Sequence, residues 1–253
     1  ELILGSYLSR FFPIFFSLLI FLNKKINKVQ YIFSYLIFIF AEVLVYLSGE
    51  RVAFFYMNFA AVFTLLAVKD FKKLRIGILL SSLTLIFIIS FTFPNTKQRV
   101  FNQTFDQMGL FSDKENVIFS HQHNDLYKTA INIVKDNLYF GVGVKNFRNK
   151  CSLDKYKISE SSCSTHPHNS YIQLLVELGL VGLIIGLTLL IFISVYILKH
   201  FHSLISGNYY FTDFQVCLIS AILISLWPFA PTGNVFNNWL NIVYYFPVGI
   251  LLW

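Results

Sequence analysis

The stretch Lys69-Asp70-Phe71-Lys72-Lys73-Leu74-Arg75-Ile76-Gly77-Ile78-Leu79-Leu80-Ser81-Ser82-Leu83-Thr84-Leu85-Ile86-Phe87-Ile88-Ile89-Ser90-Phe91-Thr92-Phe93 decides the fold. A short basic segment runs into eighteen residues without a single charge. A helix apolar all round has to face something other than water, and about 20 such residues cross a bilayer. The same pattern recurs along the chain. Apolar runs fall at Leu2–Leu22, Val29–Ser48, Val52–Val68, Ile76–Phe93, a long stretch ending near Leu198, Phe211–Phe229 and Val235–Trp253. They predict about seven spans in an all-α, polytopic transmembrane bundle.

Composition supports that class. Only 13% of the 253 residues are charged, against roughly a quarter in an ordinary soluble domain, and 29 are Phe. The net charge of +7 does not point to nucleic acid, because the basic residues sit in short connections and no basic face or recognition motif is present. Those connections alternate. Asn23–Lys28, Lys69–Arg75 and Lys199–His202 are basic, whereas Ser48–Arg51 and Pro231–Asn238 are poor in Lys and Arg. The positive-inside rule therefore predicts that Arg51, residues 94–167 and Pro231–Asn238 face outward. The chain enters its first apolar run without a basic leader or cleavage site, and the reading expects a piece of a longer protein.

The expected organisation is four spans over 1–93, a partly helical outward loop over 94–167, and 168–253 as an outward helix start followed by three spans. Within the loop, Leu126, Ala130, Val134 and Leu138 recur at helical spacing, with Asn124 or Asp125 as cap and Gly141 as terminator. Cys151 and Cys163 share this loop, and an oxidising compartment would let them form a disulfide. Cys217, inside an apolar run, reads as a small buried residue.

The chemistry concentrates in Thr165-His166-Pro167-His168-Asn169-Ser170-Tyr171 and the residues that follow it to Glu177, Gly179 and Gly182. Thr165 or His166 is expected to cap a helix beginning at His168. From there to Leu198 such a helix would measure roughly 45 Å, longer than the hydrocarbon core, with Gly179 and Gly182 as its bend or close-packing point. Its N-terminus would offer free N–H groups to an anion. Glu42 and Glu177 stand out as carboxylates within apolar runs.

His168-Asn169, nine residues, Gly179, two residues and Gly182 form a pattern that resembles the signature of the O-antigen ligase/polymerase superfamily. Asp136–Gly143 with Asn146-Phe147-Arg148 resembles the loop segment before that signature, and Gly49-Glu50-Arg51 resembles the family's outward arginine turn. The resemblance covers roughly residues 30–200. An arginine that the family often places ahead of the amphipathic helix is replaced here by His121-Gln122-His123.

The resemblance implies a GT-C-like glycosyltransferase in a bacterial inner membrane, active on the periplasmic side. It implies transfer from an undecaprenyl-diphosphate-linked glycan to a sugar hydroxyl on lipid A–core or on a second lipid-linked glycan, without cofactor or metal. The acceptor must lose a proton, for which His168 is the natural base. The leaving diphosphate needs cations, and arginine forks suit phosphate; Arg51 and Arg99 are the first candidates and Arg148 the reserve. Asn169 is expected to support His168. Two other readings stand beside this one. A lipid-linked glycan transporter would need its polar groups near the midplane. A metallohydrolase using His121, His123, His166 and His168 lacks a carboxylate–histidine helix motif.

Overall fold

The computed structural model describes residues 4–22, 27–107 and 119–253, and among these every regular element is helical. Four helices are long and apolar enough to cross a membrane: α1 (Leu4–Phe21), α2 (Lys28–Leu47), α4 (Lys72–Thr92) and α9 (Ser170–Ile205). Three shorter apolar helices accompany them: α3 (Arg51–Ala67), α10 (Asp213–Ser225) and α11 (Asn238–Leu252). The segment after α4 is broken into short pieces, α5 (Pro94–Lys97), a π-turn (Gln98–Asn102) and α6 (Gln103–Gln107). It is followed by α7 (His121–Asp136) and α8 (Phe147–Lys150). The chain is thus a polytopic helical membrane protein.

Two compact units emerge. One comprises residues 1–104, 195–225 and 243–253; the other comprises 105–194 and 226–242.

In the first unit, α1 packs on α2, α3 and α10. Phe12 and Phe16 meet Phe38 edge-on or tilted, with ring centroids 5.2 and 5.5 Å apart. The Glu50 carboxylate accepts from the backbone N–H of Gly5 (2.8 Å) and Ser6 (3.1 Å). A negative group at a helix N-terminus satisfies donors that have no partner inside the helix. At the other end of α3, Arg75 donates to the carbonyls of Thr64, Val68 and Asp70. The Asp213 carboxylate accepts from Lys69 N–H and Asp70 N–H, which ties the start of α10 to the same basic connection. Residues 216–225 of α10 are all buried.

The second unit has its own core of Leu126, Ala130, Ile133 and Val134 from α7, packed with Phe147 and Val176. Cys151 and Cys163 are disulfide-bonded across this core's edge, with Cα atoms 5.1 Å apart. The α7 cap is Ser120, not Asn124 or Asp125: its hydroxyl accepts from His123 N–H, and the helix starts at His121, ahead of the expected position. The helix also ends before Gly141, at Asp136, with Asn137 as C-cap.

The long helix α9 is not one rod. Gly179 has φ 69° and ψ −159°, so 170–178 and 180–205 are separate helical segments. A Cβ on Gly186 would lie 2.7 Å from Leu174 Cδ1 and 3.5 Å from the Tyr171 ring, and one on Gly182 would lie 2.8 Å from the Leu174 carbonyl. In a straight helix Tyr171 and Gly186 would stand about 22 Å apart. The first segment therefore folds back on the second as a hairpin, with both glycines at its seam.

Candidate active site

The hairpin is locked by a second turn. Gly141 has φ 67°, and its Cα faces the Glu177–Gly179 backbone so closely that no side chain fits on either glycine. Three backbone hydrogen bonds join the turns: Val142 N–H to Val176 O (3.0 Å), Gly143 N–H to Glu177 O (2.9 Å) and Leu180 N–H to Leu138 O (2.9 Å). The Glu177 carboxylate then accepts from Lys145 N–H (2.9 Å), Phe147 N–H (3.3 Å) and Gln173 Nε2 (3.1 Å). Fully buried, it acts as a clamp on the 143–147 loop. Glu42, the other carboxylate in an apolar run, is also fully buried and accepts from the Ser82 hydroxyl at 2.6 Å.

Asn169, not Thr165 or His166, caps the helix, which begins at Ser170. Asn169 Oδ1 accepts from Tyr171 N–H (3.0 Å) and Ile172 N–H (3.1 Å), and its Nδ2 donates to Pro228 O (2.8 Å). Three N–H donors of this first turn, those of Tyr171, Ile172 and Gln173, are thus taken by Asn169 itself and do not stand open to an anion.

His168 sits just ahead of the cap at φ 59°. A left-handed conformation is uncommon outside glycine and costs energy that the surroundings must supply. Here Thr232 N–H donates to His168 O at 2.8 Å and fixes the backbone. The half-buried imidazole has its Nε2 3.3 Å from Ser164 Oγ. Its ring centroid lies 4.1 Å from that of His166 and 5.6 Å from that of His123. The three histidines come from α7 and from the loop before α9, so one member of the first His-x-His pair, His123, meets the second pair. Among the described residues, no group of three or more His, Cys, Asp or Glu is placed to hold a metal ion.

His166 is buried, with Thr165 Oγ1 3.0 Å from Nδ1 and the Thr232 carbonyl 3.3 Å from Nε2. A carbonyl only accepts, so Nε2 carries the proton and Nδ1 is the acceptor. Burial, then the charges of His168 and Arg148, push its pKa down to about 4. His166 is therefore neutral near pH 7. Arg148, exposed on α8, is the cation within electrostatic reach of this cluster.

Arg51 and Arg99 lie in the other unit and interact electrostatically with each other. The π-turn carrying Arg99 is anchored by Phe101, whose ring packs on Tyr46 (5.9 Å) and Phe54 (6.0 Å). A Cβ on Gly49, φ 68°, would meet Arg99 Cδ at 3.1 Å, so the Arg99 stem crosses the Gly49 turn directly ahead of Arg51. Two like charges thus fall within electrostatic reach of each other. Sequence reasoning passed over Arg10, which is buried on α1 with its guanidinium 3.8 Å from the Tyr244 ring centroid and 5.0 Å from that of Tyr56. A lone arginine within a Phe-rich run gives no signal of such a cage. Gln173 was also missed as a member of the cluster, since only the fold brings residues 234–235 to it.

Comparisons with curated proteins and with solved structures found no match. A family model described as O-antigen ligase, Wzy_C, matches residues 34–187, which include Arg51, Arg99, Arg148, His168 and the whole hairpin lock. More than half of the chain is covered, and the chain belongs to the O-antigen ligase family.

Proposed function

We propose that this chain carries out glycan transfer from an undecaprenyl-diphosphate-linked donor to a sugar hydroxyl at the periplasmic face of a bacterial inner membrane. The observation that carries the reading is the strained His168, held by Thr232 and flanked by His166 and His123, within a family of O-antigen ligases. The acceptor oxygen attacks the anomeric carbon as its proton passes to the imidazole. The bond from that carbon to the diphosphate breaks, and the electron pair leaves with the lipid diphosphate. Neutral His166 beside His168 leaves room for a single added proton on the pair. Arg51 and Arg99 bind the leaving diphosphate, because two adjacent guanidinium forks match its oxygens. Arg148 is the alternative cation. Either lipid A–core or a second lipid-linked glycan serves as acceptor.

The test is donor binding and single-turnover transfer by the full-length protein in lipid. His168→Ala is expected to lower transfer by about 10²–10⁴-fold, as loss of a general base does, while donor binding stays near normal. Arg51→Lys is expected to weaken donor binding as well as turnover, because an ammonium cannot reproduce the fork. Near-normal turnover in His168→Ala would remove the base from this position. Normal donor affinity in both Arg51→Ala and Arg99→Ala would transfer the diphosphate role to Arg148. A glycan profile of a deletion strain separates the two acceptors. Loss of long chains from lipid A with polymer retained on the carrier identifies a ligase, and a single-repeat ladder identifies a polymerase.

A further inference from the structure

We infer that Ser164, fastened by the Cys151–Cys163 disulfide, positions the His168 imidazole, so that transfer requires the bond to be intact. The consequence for transfer rests on the proposed function; the fastening does not. Ser164 Oγ stands 3.3 Å from His168 Nε2, so the hydroxyl limits where that nitrogen can point. A base oriented by a further hydrogen-bonding group is a recurring arrangement in catalysis. Ser164 has few other constraints. Among the described residues, none of 163–167 enters a backbone–backbone hydrogen bond, and Pro167 has no N–H to offer. Downstream, the segment is tied to Thr232, whose carbonyl accepts from His166 Nε2 and whose N–H donates to His168 O. Upstream, the tie is Cys163, the residue next to Ser164.

The far end of the disulfide is firmly seated. Cys151 is fully buried, and as the C-cap of α8 its N–H donates to Phe147 O at 2.9 Å. Phe147 is itself fully buried against α7, with its N–H held by the Glu177 carboxylate. Cys151 Sγ lies 3.6 Å from Arg148 O and 3.8 Å from Ser164 O. The bond thus sets the backbone of Ser164 against the end of the helix that carries Arg148.

The chain between the two cysteines has ties of its own to α7. Asn132 Nδ2 donates to Tyr156 O (3.4 Å), the Tyr156 hydroxyl to Asp136 (2.9 Å) and the Ser159 hydroxyl to Asp125 (2.6 Å). Ser162 Oγ then accepts from Ile158 N–H (3.1 Å) and Ser159 N–H (3.2 Å), which closes the turn just before Cys163. Opening the disulfide therefore leaves 153–162 docked on α7 and loosens 163–167, the segment that carries Ser164.

Single-turnover transfer and donor binding by the full-length protein in lipid, with and without dithiothreitol, test this. The dithiol converts the bond into two thiols and is itself oxidised to a cyclic disulfide. Reduction is expected to slow transfer and leave donor binding near normal. The double variant Cys151→Ala/Cys163→Ala should be equally slow and indifferent to the reagent. Ser164→Ala, with the disulfide retained, is expected to lose about 3–10-fold in rate, the size of one hydrogen bond's net contribution, at unchanged donor affinity. Ser164→Thr restores a hydroxyl and should recover most of that rate. Full-rate transfer after complete reduction, a wild-type rate in Ser164→Ala, or a Ser164→Thr as slow as Ser164→Ala overturns the inference. Acylation of His168 by diethylpyrocarbonate, located by peptide mass spectrometry, reads the same hold without any transfer. It is expected to be faster in the double variant and in Ser164→Ala than in the wild type, and equal rates refute the positioning. A wild-type protein that transfers nothing would sink the proposed function, while the acylation rates would still decide whether the bond positions His168.

Discussion

His166 converts its position into a dependence on acidity. Its side chain is neutral in the folded protein, with a pKa near 4 against 6.5 when exposed to water. Between those values the unfolded chain binds the extra proton and the folded one does not, so stability rises with pH. Full stability is present above about pH 6.5 and declines as the pH falls toward about 4, by about 3 kcal/mol at most. His166→Gln keeps hydrogen-bonding capacity without that titration, and its thermal unfolding is expected to be flatter across the same window. An unchanged acid slope in the variant would show that other groups set it. At this scale residue chemistry was easier to read from the sequence than geometry. A histidine–asparagine pair near two glycines was legible as a candidate site. That Asn169 rather than Thr165 or His166 makes the cap was not, because all three residue types can cap and His168 had to take an unusual conformation for Asn169 to do so. Glu177 could be read equally as reactive or structural, and only its three donors, from the 143–147 loop and Gln173, decide for the clamp.

Among the elements, the hairpin of α9 is the one whose form depends on single atoms. Gly179→Ala adds a side chain at positive φ and drives it into the Tyr139 carbonyl, which belongs to a turn held by backbone bonds on both sides. Gly207→Ala supplies the comparison, since Gly207 has φ 74° but nothing within 4 Å of the added carbon. The second substitution is expected to cost about 1 kcal/mol from backbone conformation alone. The first should exceed it by several-fold in a thermal unfolding measurement and should open residues 138–147 to limited proteolysis. Equal costs would mean that the interlocked turns contribute nothing. Apolar runs disclosed where the helices lie, to within a few residues, because the bilayer imposes length and uniform character together. The reversal at Gly179 stayed hidden. Glycine inside an apolar helix is equally compatible with a straight rod, a bend or close packing, and the choice is made by Gly141, nearly forty residues earlier.

For the molecule as a whole, the alternation of basic connections predicts which ends of the helices face the cell interior. Glu160 and Asn208 are exposed, and neither belongs to the basic connections. A cysteine at 160 is expected to react with a membrane-impermeant thiol reagent in intact spheroplasts, whereas one at 208 should react only after lysis. The reverse pattern would invert the orientation and move the site to the other face. The division into two units could not be foreseen from the order of spans, since residues 226–242 join the loop region rather than the helices on either side of them. Arg75 complicates any attempt to reset that orientation by editing charges. It belongs to the basic stretch that steers insertion, yet its guanidinium is spent on the carbonyls at the end of α3 and the connection after it. Lys72 and Lys73 are exposed, whereas Arg75 is buried. Neutralising the lysines alters the signal read during membrane insertion and little else. Neutralising Arg75 alters the same signal and uncaps a finished helix, so a misinserted chain and a correctly inserted but unravelled one would give the same loss of protein.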